Sequence, residues 1–124
     1  MDAHIESAFL NDFVDPRKRA RLLWELERPN RRADCLMRLR TWLLPDRARR
    51  LKSITNDGDV CAALRKAGAD GVGYLIAEEH DQSRPVTMDI GVAACMGSMT
   101  RILYFPRAHI AFFDDEDFRK IILQ

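Results

Sequence analysis

The sequence predicts an α+β protein in which N-terminal helices pack on a small C-terminal mixed or antiparallel sheet. Three observations carry this. Up to about residue 67 the apolar side chains recur at helical spacing: Leu22, Leu23 and Leu26 share one wheel face, and Cys35, Leu36, Leu39, Trp42 and Leu43 share another. After Gly68 the pattern changes to short apolar runs bounded by glycine, proline or charge, at 72–77, 100–105 and 109–113. Helices grouped ahead of strands point to helices packed on one face of a sheet, with the order helices, then β-α-β-β. The 124 residues fit one domain, 1–124. A hydrophobic content of 47% is ordinary for a globular chain, which at this length needs no metal or disulfide staple.

Residues 2–13 form an amphipathic helix with Ile5, Phe9 and Phe13 on one side. Asp15-Pro16 then reads as a helix start, with Asp15 as cap and Pro16 at the first helical position. That helix runs to about Glu27 and stops before Pro29, because the residue preceding proline is pushed out of the α region. A further helix opens at Asn30 or Arg31 and ends before Pro45. The short Arg28-Pro29-Asn30 connection makes the two helices neighbours. Asp46 caps one more turn, 47–52.

Thr55-Asn56-Asp57-Gly58 is a turn. Asp59 caps a helix from Val60 to Ala67, which Gly68 closes. Residues 72–77 form a strand and 80–84 a loop. Pro85 starts a helix through Met96, with Gly97 as its stop. Pro106-Arg107-Ala108 is a hairpin connection between strands 100–105 and 109–113, and 118–123 is a last strand or helical turn. If the first two strands run parallel, the 85–96 helix is their right-handed crossover.

Charge is unevenly placed. Residues 1–54 hold thirteen Lys/Arg against eight Asp/Glu, and residues 55–124 hold seven against eleven. The net charge of +1 excludes a histone-like nucleic-acid coat and makes any electrostatic footprint local. Arg17, Arg21 and Arg28 share one helical face with Trp24 at its edge, and Arg31 and Arg38 extend it on the next helix. Guanidinium groups engage carboxylate or phosphate in bidentate fashion, and arginine and tryptophan are the residues interfaces favour. These six predict a partner-binding face on a non-enzymatic binding or regulatory protein, for an acidic protein surface ahead of nucleic acid. Phosphate contacts with stacking on Trp24 are the nucleic-acid alternative, but no helix-turn-helix, RRM, KH or zinc-finger signature accompanies them. The plain reading of such a run is a solvated face whose arginines pair with Glu25 and Asp34.

Arg19 and Arg32 fall on apolar arcs. Their stems should be buried and their heads paired, at least one with a carboxylate of the C-terminal half, for which the run 114–117 is the obvious supplier.

A small hydrolase or nuclease using His80 or the 114–117 carboxylates is the remaining alternative. Glu78-Glu79-His80-Asp81 follows a strand, where a histidine can serve as general base, with Cys95 or Ser98 as partners only if the fold brings them near. Four consecutive carboxylates on a strand alternate faces and do not converge on a cation. Asp117-Phe118-Arg119-Lys120 has arginine where a nuclease-like site wants lysine. Gly68, Gly71 and Gly73 precede a strand and form no phosphate loop. No catalytic residue, metal or cofactor is therefore expected.

Cys35 and Cys61 lie on apolar helix faces and read as core, as do Trp42, Met88, Met96 and Met99. Three cysteines without a CxxC pair suggest free thiols in a reducing compartment. The acidic Met1–Glu6 segment does not look like a signal peptide, and no apolar run reaches membrane-spanning length, so a cytoplasmic protein without membrane contact is expected.

Two stretches together resemble a family of short uncharacterised bacterial proteins of unknown function. One is Asp15-Pro16-Arg17-Lys18-Arg19-x-Arg21-Leu22-Leu23 with Pro29-x-Arg31-Arg32. The other is Met96-Gly97-Ser98, an apolar hairpin, Phe113-Asp114-Asp115-Glu116-Asp117 and Ile121-Ile122-Leu123. The family shares a basic helix start, a Gly-Met-Gly-Thr-like turn and an acidic run after a strand. Here Cys95 stands where the first glycine of that turn is expected. The resemblance implies a bacterial single-domain protein and no particular activity.

Overall fold

The first third of the chain folds into three helices in the computed structural model, which describes every residue except Glu116. Helix α1 (Ala3–Phe13) starts at Asp2, whose carboxylate accepts the Ile5 N–H at 3.1 Å and so satisfies one orphan donor. It buries Glu6, Phe9, Leu10 and Phe13, one stripe at helical spacing.

Helix α2 (Arg19–Leu26) begins later than Asp15-Pro16 predicts. Asp15 does accept the Arg17 N–H, at 3.0 Å. The Lys18 N–H then closes on the Asp15 carbonyl, also at 3.0 Å, so residues 16–18 are a turn ahead of the helix. Helix α3 (Pro29–Arg38) begins at Pro29 itself, a residue or two before the expected start. Arg28 is extended, as a pre-proline residue should be, and Pro29 takes the first helical position. A 3₁₀ turn, Leu39–Trp42, continues the helix.

Residues 47–52 are not a helical turn. Ala48–Leu51 is strand β1, preceded by the 3₁₀ turn Pro45–Arg47. Helix α4 (Asp57–Ala67) starts ahead of Asp59, because Asn56 is the cap; its side-chain oxygen accepts the Asp59 N–H at 2.8 Å. The helix ends as expected at Gly68, whose φ of 115° a side chain would resist. Strand β2 (Val72–Ile76) follows.

The helix expected from Pro85 starts only at Met88. Arg84–Thr87 is instead strand β3, paired antiparallel with β2 with Gly73 opposite Val86. Pro85 is tolerated because β3 is an edge strand. Helix α5 (Met88–Cys95) comes next, then the hairpin of β4 (Ile102–Phe105) and β5 (Ile110–Asp114) around residues 106–109. Lys120–Leu123 is strand β6, the strand option of the two left open for 118–123.

Among the described residues the six strands form one antiparallel sheet in the order β1-β6-β5-β4-β2-β3. β2 and β4 are antiparallel, Tyr74 opposite Tyr104, so α5 is not a crossover between parallel neighbours. The fold is α+β, with the N-terminal helices packed on a largely C-terminal sheet. Strand alternation splits the core into two. Tyr74, Ile76, Ile102, Tyr104, Ala111 and Phe113 pack against Phe9, Leu10, Phe13, Leu22, Leu26 and Leu36 of α1–α3. Leu75, Leu103, Phe105, Ile110, Phe112 and Ile122 pack against Val60 and Leu64 of α4 and Met88 and Val92 of α5. Helices therefore cover both faces, not one. Because both sides are buried, the central strands read as continuous apolar runs without alternation.

Candidate interaction face

Trp24 lies on the outer surface of α2, 36% exposed. Three guanidinium groups surround its ring. Arg28 is 3.7 Å from the ring centroid, Arg21 4.6 Å and Arg31 5.2 Å, all inside the roughly 6 Å reach of a cation–π contact. Helical geometry explains the cluster. Arg21 is three residues before Trp24 and shares its face. Arg28 caps α3 and donates from Nη1 to the Trp24 carbonyl at 2.6 Å, which satisfies an acceptor in the last turn of α2. The turn at Arg28-Pro29 then folds Arg31, in the first turn of α3, over the same ring.

The cations outnumber the anions here. Arg21 Nε reaches Glu25 at 3.5 Å, but Glu25 is held more closely by Arg38, at 2.6 Å. Among the described residues Arg28 and Arg31 make no ion pair.

The other two expected face residues sit apart from Trp24 in their own pairs. Arg17 lies in the turn before α2, not on the helix, and its guanidinium meets Asp15 at 2.8 Å. Its side-chain and backbone N–H groups hold the Asp15 carboxyl down at about 2. Arg38 bridges Asp34 at 2.8 Å and Glu25, and both hydrogen bonds push its own pKa up. The pairing with Glu25 and Asp34 read from the sequence is therefore present, and it occupies Arg38 and, at longer range, Arg21 rather than the whole face.

Arg32 is buried and paired as expected, but its partner is not in the C-terminal half. It is fully buried against Glu6 of α1, with Nη1–Oε1 at 2.7 Å and Nη2–Oε2 at 2.6 Å. Nε donates to the Ala77 carbonyl at 2.6 Å, Nη1 also to the Leu26 carbonyl at 2.9 Å, and Nη2 also to Ser83 Oγ at 2.8 Å. All five guanidinium N–H groups thus have an acceptor. Arg19 donates to the Val14 carbonyl at 2.9 Å and stays partly exposed.

The acidic run is met locally. Asp114 is buried and accepts from Lys120 Nζ at 2.9 and 3.0 Å and from the Gly97 N–H at 2.8 Å. Asp115 and Asp117 both pair with Arg119, at 2.8 and 3.0 Å. Burial works to raise the Asp115 carboxyl, but the Arg119 N–H and guanidinium and the Asp117 N–H outweigh it and leave the pKa below the usual value. Glu116 lies outside the described residues.

His80 Nε2 contacts the Leu26 carbonyl at 2.8 Å; a carbonyl only accepts, so that nitrogen carries the hydrogen. Cys95 is fully buried, and burial pushes its thiol up to about 12. Cavities of about 830, 610 and 460 Å³ open elsewhere, and none of these is lined by His80, Cys95 or Ser98. Among the described residues no group of three or more His, Cys, Asp or Glu converges as a metal site, and no helix is long and apolar enough to cross a membrane. The three cysteines are free and buried. Met99, expected in the core, is exposed, and Trp42 is half-buried beneath Lys18, whose ammonium is 4.2 Å from its ring.

Sequence reasoning missed three groups. Glu6 is the first; it lies on the stripe of Phe9, Leu10 and Phe13, and a carboxylate on an apolar stripe is a readable sign of a buried partner. Asp12 is the second; its Oδ2 accepts the Tyr104 hydroxyl at 2.6 Å and meets His109 Nδ1 at 2.9 Å, across 92 and 97 residues of chain, with no local signal. The third is the set of cations on β1, hidden by reading that segment as a helical turn.

No family model matches the chain, and neither a curated protein nor a solved structure is significantly similar to it.

Proposed function

We propose that this is a non-enzymatic binding or regulatory protein of the cytoplasm that docks an acidic protein surface on Arg21, Trp24, Arg28 and Arg31. One observation carries the reading: three guanidinium groups crowd a single half-open indole, and among the described residues two of them pair with no carboxylate. Like charges at this spacing repel, and a partner carboxylate placed between them turns that repulsion into charge-assisted hydrogen bonds. The indole supplies the apolar anchor such contacts need at their centre. The protein partner is favoured over nucleic acid because Arg28 already lies 3.7 Å from the centre of the ring on which a base would stack.

The test is affinity capture from the native host with the intact protein and with the Arg28→Glu/Arg31→Glu variant. The expected result is an acidic protein retained by the first and lost by the second, with direct binding confirmed on the purified pair. A capture profile unchanged by charge reversal overturns the reading. Binding to a mixed RNA and DNA pool that falls steeply with salt, through counterion release, would replace it with the nucleic-acid alternative.

A further inference from the structure

We propose that the outer edge of β1 is a second docking site, at which an extended acidic segment of a partner protein adds to the sheet beside Ala48–Leu51. β1 ends the strand order, so one side of its backbone is unpaired by the sheet. The register fixes which groups are open. The Gln124 N–H bonds the Arg47 carbonyl at 2.9 Å, and Arg49 and Leu51 stand opposite Ile122 and Lys120 in the same frame. Hydrogen-bonded pairs alternate along an antiparallel ladder, so the N–H and C=O groups of Ala48 and Arg50 point outward. The other edge, β3, is blunted by Pro85, which has no N–H to offer.

The side chains say what the occupant must be. Arg49 shares the sheet face of Ile122, towards α4, and Arg50 shares the face of Ile121, towards α1–α3. A strand laid on this edge therefore meets a cation on either face. On the α4 side a groove of about 610 Å³ adds Lys52 and Lys66 above a floor that includes Leu51 and Ala63. The Asp59 carboxylate in its lining is engaged by the Asn56 side-chain N–H at 2.9 Å. Among the described residues Arg49, Arg50, Lys52 and Lys66 make no ion pair. A second copy of the same edge would bring these cations against one another, the arrangement by which edge strands resist self-pairing. A strand with carboxylates at alternate positions lays them all on one face, where they meet Arg49, Lys52 and Lys66 on the α4 side while its backbone completes the ladder.

The probe is a labelled synthetic peptide alternating glutamate with valine, followed by fluorescence anisotropy on the intact protein. Arg49→Glu/Arg50→Glu should weaken binding at least about tenfold. Arg28→Glu/Arg31→Glu should leave it unchanged, which separates this site from the Trp24 face. Two N-methylated versions of the peptide, blocked on alternate N–H groups in opposite frames, should differ: one frame abolishes binding and the other keeps it. No binding, equal binding in both frames, equal loss with the Arg28/Arg31 variant, or tighter binding of a single-stranded oligonucleotide through Arg49 and Arg50 each overturns the proposal.

Discussion

Arg32 ties three parts of the chain together. Its guanidinium joins α1 through Glu6, the end of α2 through the Leu26 carbonyl, and the segment after β2 through Ala77 and Ser83. Both partners of the ion pair are fully buried, so removing one strands the other charge in a medium that cannot solvate it. Arg32→Met should therefore cost about 3–5 kcal/mol in urea unfolding. The Glu6→Met/Arg32→Met double variant should be more stable than Arg32→Met alone. In it the Leu26 carbonyl keeps His80 Nε2 at 2.8 Å, and the Ala77 carbonyl keeps Ser83 Oγ at 3.1 Å, whose one hydrogen it shares with the Glu79 carbonyl at 2.9 Å. Losses that simply add in the double-mutant cycle would show that the pair is not the coupled unit described here. That Arg32 points inward was legible in its wheel position. Its partner was not, because helical phase gives the face a residue occupies and not the element packed against that face. Glu6 carried the same sign on α1, and two opposite charges on two apolar stripes are the pattern to match.

At the scale of elements, the helices were legible and the edge strands were not. α1, α3 and α4 each have an apolar stripe and a cap or proline, and expectation and structure differ by a residue or a few at their starts. The central strands have long apolar runs because both faces are buried. β1 and β3 have neither feature: Ala48-Arg49-Arg50-Leu51 buries only Leu51, and Arg84-Pro85-Val86-Thr87 buries only Val86. Edge strands are specified by the neighbour they pair with, which is distant in sequence. The same limit applies to the two proposed docking surfaces. The Trp24 cluster was readable as helical spacing, whereas the β1 cations became a surface only once the strand was seen.

The seat of α5 on the sheet makes a separate prediction. A Cβ on Gly91 would stand 2.4 Å from Leu103 Cδ1 and 3.0 Å from Val86 Cγ2, and Leu103 is fully buried. The helix approaches β4 as closely as it does because that side chain is missing. Helix propensity alone would make Gly91→Ala stabilising by about 1 kcal/mol. Overpacking at this contact should reverse the sign and destabilise by about 1–3 kcal/mol. Gly58→Ala, in the first turn of α4 with its nearest contact at 3.4 Å, is the control and should be neutral or stabilising in the same thermal melt. A Gly91→Ala protein that melts at or above the parent temperature would mean the helix can lift off the sheet without loss.

At the scale of the whole molecule, the described residues form two cores on one sheet. β2, β4, β5 and β6 each send alternate side chains into both cores, so neither helical layer can loosen without disturbing the strands that seat the other. The chain order reinforces this, because β1, which precedes α4, pairs with β6, the last strand. Two weakly coupled layers would unfold in two steps, whereas layers sharing every central strand should unfold in one. The two tryptophans make the distinction measurable, since Trp24 is on α2 and Trp42 packs against the α1–α3 core. Leu64 is fully buried on α4, on the opposite face. Leu64→Ala should cost about 2–5 kcal/mol. The tryptophan fluorescence midpoint should then fall in urea by as much as the far-UV circular dichroism midpoint, although neither indole is near the cavity. Separate shifts, with dichroism moving and fluorescence staying, would show that the α1–α3 layer folds on its own. The Trp24 face would then be carried by a unit that does not depend on the α4 side, and the two proposed docking surfaces could act without sensing each other. If the midpoints move together, anything that strains the sheet at β1 lowers the stability of the body that presents Trp24, and the two surfaces share one folding equilibrium.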